Sequence, residues 1–404
     1  MEEWKEFRIG DLCKRVCSGG TPKSTMASYY DGNIPWLNTK EVSFNRIYQT
    51  ERKITQEGLN NSSAKWIDKN SVVVAMYGAT AGKCAITKIP LTTNQACCNL
   101  TIDESKADYR YVYYALCNDY VRLASLANGG AQQNLNAQQI KEFEISLPSL
   151  PTQQKIASTL SSLDDKIEVS HRINEQLEEL AQALFKSWFV DFEPFKDGEF
   201  VESELGMIPK GCTTISLSKM ADYLNGLAMQ KFRPLQGEKG LPVLKIKELG
   251  QDSCNETSEL CSPSLVNEKY IVNDGDVIFS WSGTLLVKIW CGGVSGLNQH
   301  LFKVTSEKYP KWFIYLWTKF HLDRFIRIAK DKAVTMGHIK RGELDTSFAI
   351  VPNEEKMKEI DGLMAPLIEQ IIANNIENRH LTTLRDTLLP KLMSGEIDVN
   401  EVEI

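Results

Sequence analysis

The sequence predicts an α+β protein in which one repeat is written twice, each copy a mixed α/β domain followed by a long helix. Three observations carry that reading. The chain matches itself at an offset of about half its length, short β-branched runs open after turn residues, and a heptad seam closes each half.

Ile34–Val42 matches Leu241–Leu249 at an offset of 207, and Val72–Ala75 matches Val277–Ser280 at 205. From there the offset settles at 204. It pairs Thr80 with Thr284, Asn94-Gln95 with Asn298-Gln299, Tyr111 with Tyr315 and Pro148 with Pro352. The same offset continues into the helical parts through Ile167/Ile371, Asn174/Asn378, Leu177/Leu381 and Leu184/Leu388. The predicted organisation is a first domain over residues 1–151, a helical spacer over 152–192, a second domain over 193–353 and a second spacer over 354–404.

Within the domains, Val72–Ala75 and Val277–Phe279 follow Asp68-Lys69-Asn70 and Asn273-Asp274-Gly275, which predicts strands. Tyr109–Leu126 and Lys311–Ala329 have the period of amphipathic helices. Trp36/Val243, Tyr111/Tyr315 and Tyr113/Trp317 are expected in the cores. After Pro151, Thr152–Phe189 contains no Gly or Pro, and its apolar residues fall in alternating steps of four and three. The first seam is Ile156, Leu160, Leu163, Ile167, Leu177, Ala181, Leu184 and Trp188, interrupted at Ser170 and Asn174. The second is Ile360, Met364, Leu367, Ile371, Leu381, Leu388 and Leu392, interrupted at Asn374, Asn378 and Arg385. Polar breaks near the middle of each helix suit a layer that sets register, whichever way the helices run. Pro366, just after Gly362, is expected to break or kink the second helix. At about 1.5 Å per residue the first spacer would be about 57 Å long. A coiled coil between separate chains is the plain alternative.

Charge excludes less than its total suggests. The net charge of -6 argues against a nucleic-acid partner until it is divided. Residues 1–150 hold 17 basic and 15 acidic groups, and residues 196–353 hold 20 and 18. The acidity sits in 151–195, with 4 and 8, and in 354–404, with 5 and 11. No apolar run is long enough to span a bilayer, and the start lacks the basic-then-apolar layout of an export signal. The ten cysteines show no CxxC and read as reduced thiols of a cytoplasmic protein.

Catalytic strings are missing. Gly78-Ala79-Thr80-Ala81-Gly82-Lys83 imitates a phosphate loop but has three residues between its glycines instead of four, with Cys84 where Ser or Thr would hold magnesium. Its counterpart, Ser282–Val287, has no lysine. The five histidines, His171, His300, His321, His338 and His380, lack metal-ligand spacing. The sequence therefore predicts no enzyme, no metal and no cofactor in this chain.

Two domains each followed by a long helix, with particular strings at the helix ends, resemble the specificity subunit (HsdS) of prokaryotic type I restriction-modification systems. Leu184–Pro194 looks like that family's first helix end and Leu388–Ile397 like its C-terminal end. Gly206–Gly211 resembles the start of its second domain, and Gly19-Gly20-Thr21-Pro22 with Gly78–Lys83 resembles loops of its first. The resemblance spans essentially the whole chain. It implies two target recognition domains, each reading half of a bipartite, asymmetric double-stranded DNA site, with the two helices paired antiparallel to set the gap. It also implies two methyltransferase (HsdM) subunits bringing S-adenosylmethionine and restriction (HsdR) subunits bringing ATP and Mg, with no membrane involved. Rival readings are a coiled-coil adaptor with no DNA role and a nucleotide hydrolase built on Gly78–Lys83.

The DNA-contact candidates are polar and basic residues on loops at equivalent places in the two halves. In the first they are Lys23, Asn38, Thr39, Lys40, Tyr77, Thr80 and Lys83, with Gln132, Gln133 and Asn134 after Gly129-Gly130. In the second they are Lys231, Arg233, Lys245, Lys247, Trp281, Ser282, Thr284, His338 and Lys340. Asn94-Gln95 and Asn298-Gln299 recur unchanged, so they are expected to shape a turn, because domains reading different half-sites need different readers. Trp188 and Phe189 are expected either to anchor a partner or to bury against the following domain.

Overall fold

A computed structural model describes residues 4–127, 134–331 and 339–402. The chain divides into two compact units, Met1–Asp165 with Thr382–Ile404, and Lys166–Leu381. Each unit therefore combines one globular domain with part of both long helices.

The units share a strand order. In the first, a five-stranded sheet runs Cys13–Ser18, Cys97–Ile102, Val72–Ala75, Cys84–Thr87, Asn45–Ile47, and a four-stranded sheet runs Arg52–Ile54, Tyr30–Leu37, Leu91–Thr93, Trp66–Ile67. In the second, the corresponding sheets run Asp222–Asn225, Leu301–Thr305, Val277–Ser280, Leu286–Ile289, and Leu260–Cys261, Leu241–Leu244, Ser295–Leu297, Ile271–Val272. The same strand pair is parallel in both, Trp36 opposite Thr92 and Val243 opposite Gly296. The β-branched runs are continuous because both faces of their strands are covered. Val72 and Val74 point into a core with the helix Tyr109–Asn118, while Val73 and Ala75 point into a second core with Leu37 and Leu91. Val277 and Phe279 against Ile278 repeat the division in the second unit.

Each expected domain helix is split in two, Tyr109–Asn118 then Tyr120–Ser125, and Lys311–Phe320 then Leu322–Asp331. Asn118 and Asp119 favour leaving a helix, since their side chains compete for backbone partners. The second split falls at His321, whose ring is held by the Phe348 carbonyl at 2.9 Å. All six aromatic and aliphatic pair members expected in the cores are buried. Trp188 and Phe189 are buried too, packed in the second unit's core, where Phe189 meets Trp312, Phe313 and Trp317.

The long helices span Leu150–Phe189 and Glu354–Met393. Pro151 sits in the first turn, where it is tolerated. Pro366 does not break the second helix as expected. It is exposed, and the Gly362 carbonyl, left without its intrahelical donor, lies at an exposed position open to water. Inside each unit the helical segments pair antiparallel. In the second, Asn174 meets Asn374 and Asn375, and Lys166 meets Glu377. In the first, Asp164 accepts from Arg385 at 2.8 Å and Lys155 reaches Asn400. Of the seam, Ile156, Leu160, Leu163, Ile360 and Ile371 are buried, while Ile167, Leu177, Leu184, Leu367, Leu381 and Leu388 are half-buried. Ile368, beside the expected Leu367, is the more deeply buried of the two.

Tyrosines tie the helices to their domains. Tyr114 donates to Asp164 in the first unit, and Tyr315 donates to Glu178 at 3.0 Å in the second. Burial pushes Glu178 up, but the Lys319 ammonium and the hydrogen bonds around it outweigh that and hold the carboxyl below its ordinary value. The strand Asn45–Ile47 has no partner strand in the second unit's sheet, and its Arg46 reaches Asp165 and the Ser161 carbonyl. All ten cysteines are free, and burial pushes Cys13 and Cys98 up to about 12. Among the described residues no helix is long and apolar enough to cross a membrane, and no His, Cys, Asp and Glu group is arranged to hold a metal.

Two expected outcomes follow from the packing. Asn374→Leu leaves Asn174 facing an apolar side chain and costs about 1–3 kcal/mol in urea unfolding, whereas Asn174→Leu with Asn374→Leu recovers most of that loss. An additive double mutant would remove the amide pair from the account. Burial holds the His321 imidazole below its ordinary 6.5. Folding thus favours the neutral ring, and its contribution is present above pH 6.5 and lost as pH falls toward the folded-state pKa. Melting scans between pH 7 and pH 5 should show a smaller decline for His321→Phe than for the unaltered chain.

Candidate nucleic-acid interface

The expected loops are built on one backbone framework that occurs twice. Gly19 N–H donates to the Cys97 carbonyl and Gly20 N–H to that of Thr93, just as Gly226 donates to Leu301 and Leu227 to Leu297. Asn94 N–H donates to Leu37 and Asn298 N–H to Leu244. Both asparagines then close the same turn with their side chains, Asn94 Oδ1 accepting from Ala96 N–H at 3.1 Å and Asn298 Oδ1 from His300 N–H at 3.3 Å. Each is buried to about nine-tenths. The recurrent asparagines thus shape turns, as their recurrence predicted.

In the first unit this framework holds one of the candidates, Asn38. Asn94 Nδ2 donates to Asn38 Oδ1 (3.3 Å), and Thr21 donates to Gln95. Asn38 is also the cap of the turn Thr39–Glu41, with Glu41 accepting from the Asn38 backbone at 2.9 Å, so its side chain is engaged inside the protein. Thr39 is half-buried. Lys40 is exposed and paired with Glu51, whose carboxylate holds the ammonium above its ordinary value. Gly78–Thr80 is a single tight turn leading to the strand Cys84–Thr87 rather than to a helix, which removes the dipole a phosphate loop needs. Thr80 and Lys83 are half-buried there, and Lys83 Nζ lies 3.4 Å from Ser43 Oγ and over the Phe44 ring. Tyr77 is exposed and bridges backbone-to-backbone with exposed Asn134. Gln132 and Gln133 lie outside the described residues. Lys23 is exposed in the turn before Met26.

In the second unit two candidates turn inward. Trp281 is half-buried, stacks on Phe302 and donates from Nε1 to Asn225 Oδ1 at 2.9 Å. Ser282 is buried, and its carbonyl accepts from Ser280 Oγ. Asn225 supplies the partner that draws the Trp281 indole down. Thr284, Lys231, Arg233, Lys247 and Lys340 are exposed, and Lys245 pairs with Glu259 at 2.6 Å. His338 lies outside the described residues. Among the described residues, Lys23, Lys231, Arg233, Lys247 and Lys340 form no ion pair, which leaves their charge available to an anion.

Sequence reasoning missed Gly226-Leu227, the second unit's version of the Gly-Gly turn. A Cβ on Gly19 would lie 2.1 Å from the Thr93 carbonyl oxygen, and one on Gly226 would lie 2.3 Å from that of Asn298. The two glycines are 207 positions apart, the offset already seen for Ile34–Val42, so extending that offset toward the N-terminus would have found it. It also missed Arg341, which donates to the Tyr223 carbonyl at 3.0 Å.

Residues 1–179 match the family described as type I restriction modification DNA specificity domain. The chain is 32% identical over 419 residues to the specificity subunit of the type I restriction enzyme MjaIX of Methanocaldococcus jannaschii, covering 99% of this chain and 95% of that one. It is 22% identical over 466 residues to the HindI specificity subunit of Haemophilus influenzae, covering 98% and 100%. Its fold is similar to the crystal structure of the S subunit of a type I restriction-modification system from M. genitalium, with TM-score 0.61, 17% identity and coverage of 97% and 96%.

Gly226→Ala should destabilise the second unit by about 1–3 kcal/mol, since backbone rather than a yielding side chain meets the new methyl. Urea unfolding of the variant measures it, and an unchanged midpoint would show that the turn tolerates a shift.

Proposed function

The chain belongs to the type I restriction-modification specificity subunits, and from that premise we propose that it is the non-catalytic DNA-reading subunit of such an enzyme. Each globular domain reads one half of a bipartite, asymmetric double-stranded site, and the paired helices set the unread gap. The observation that carries this reading is the duplicated loop framework, identical in its backbone bonds but dressed with different side chains in the two units. A scaffold that holds loops in one geometry while their side chains diverge is suited to reading two unlike sequences.

Direct base readout asks for planar polar groups in the major groove, and phosphate contacts ask for mobile cations that fix position. The unpaired Lys23, Lys231, Arg233, Lys247 and Lys340 fit the second task. In this reading two methyltransferase subunits dock along the helical region and bring S-adenosylmethionine, while restriction subunits bring ATP and Mg. This chain supplies the address and none of the bond-breaking. The domains carry only a slight positive excess, so tight DNA binding is expected from the assembled complex rather than from this chain alone.

The complex with its methyltransferase should footprint a split, asymmetric site, with affinity falling steeply as salt rises. Lys231→Ala with Arg233→Ala should weaken binding to every sequence and flatten the log–log salt slope by about 2, since two phosphate contacts are lost. A contiguous palindromic footprint, or a slope unchanged by the double variant, would count against the assignment.

A further inference from the structure

We propose that Arg52 is a sequence-reading residue of the first unit, presenting the edge of its guanidinium to a guanine in the half-site which that unit recognises. The inference rests on the DNA-recognition reading above and adds a specificity determinant to it.

Arg52 stands on the edge strand Arg52–Ile54, directly opposite Trp36 in register. Its guanidinium carbon lies 4.6 Å from the centre of the Tyr30 ring and 5.8 Å from that of Trp36, and the two rings meet edge-on. Stacking on aromatic faces uses the flat side of the guanidinium and leaves its N–H edge outward. Arg52 is exposed, and among the described residues it forms no ion pair; the neighbouring Glu51 is taken by Lys40. An oriented row of donors without an acceptor is what remains.

The platform beneath it belongs to the loop cluster. Trp36 Nε1 donates to the Gly20 carbonyl at 2.9 Å, and the Tyr30 hydroxyl donates to that of Pro22 at 2.6 Å. Both rings are thereby fastened to the Gly-Gly-Thr-Pro turn whose Thr21 meets Gln95. The second unit differs at each of these positions. At the offset of 207, Trp36 becomes Val243 and Arg52 becomes Glu259, whose backbone carbonyl accepts from the Val243 N–H and whose carboxylate is occupied by Lys245. A charge inverted at one place on a shared framework is a signature of specificity rather than of folding.

The chemistry favours a base over a phosphate. A phosphate is held adequately by a mobile ammonium, whereas a fork locked in one plane matches the paired O6 and N7 acceptors of guanine. The Tyr30 ring, 4.6 Å from the guanidinium carbon, supplies that lock.

The test uses the full chain in complex with its methyltransferase subunits. Methylation-sensitive sequencing first identifies the target, and dissociation constants are then measured on duplexes carrying each single base-pair change. Arg52→Lys, which keeps the charge, should bind the target about ten- to a hundredfold more weakly. It should also lose discrimination at one G·C pair of one half-site and leave the other half-site untouched. Arg52→Met, which keeps the cover over Trp36, should show the same loss with an unchanged melting temperature. If Arg52→Lys discriminates at every position as before, or weakens on all duplexes alike, the residue is not a base reader. If Arg52→Met binds normally, the arginine is only a lid on Trp36. An unaltered complex that prefers no split site would instead overturn the DNA-recognition reading itself.

Discussion

Antiparallel pairing of the two long helices is the constraint on which both units depend. The first unit is not continuous in sequence, since it needs the residues from Thr382 onward, and the second, unbroken from Lys166 to Leu381, contains parts of both helices. The pairing is held by polar contacts that would be costly if misaligned. Asn374 Nδ2 donates to Asn174 Oδ1 at 2.7 Å, and Arg385 gives its guanidinium to Asp164. Burial pulls the Arg385 pKa down, but Asp164 more than offsets this and holds it above its ordinary value. A slip of one heptad would leave these groups buried without partners, a loss of several kcal/mol where a charge is involved. Apolar residues alone would glide more easily from one register to another.

Much of this was legible in the residues. The heptad seam and its polar breaks announced the helices, and the constant offset announced the duplication. The orientation of the pair was not legible from the seam, because a break at mid-helix aligns in either direction; it came from the family resemblance. The continuous helix through Pro366 was not legible either, since a proline breaks a helix only where the freed carbonyl finds no other donor, water included. That depends on which face Gly362 occupies, which is a property of the packing.

The loop residues divide in the same way. Asn94 and Asn298 were readable as turn-formers because recurrence in domains with different targets argues against base reading. The depth of Trp281 was not legible, because an aromatic on a loop points in or out according to a partner far away in sequence, here Asn225. Asn38 shows the limit of residue type as a guide. Its amide could pair with adenine, yet it is occupied by a helical cap and by Asn94. Polar loop residues become candidate readers only after their internal obligations are known.

The split composition of the first unit has a consequence for how the protein is made. Leu392, Met393 and Val399 are buried in the same core as Ile9, Tyr111, Ile156 and Leu160. The domain that leaves the ribosome ahead of the other is therefore the later of the two to be finished, because residues that close its core are translated after the whole of the second unit. Until then its apolar floor stays open, and the second unit, whose residues are all translated earlier, can close before it. Vectorial synthesis, which ordinarily lets an N-terminal domain fold while the rest is still emerging, is inverted here by the topology of two helices.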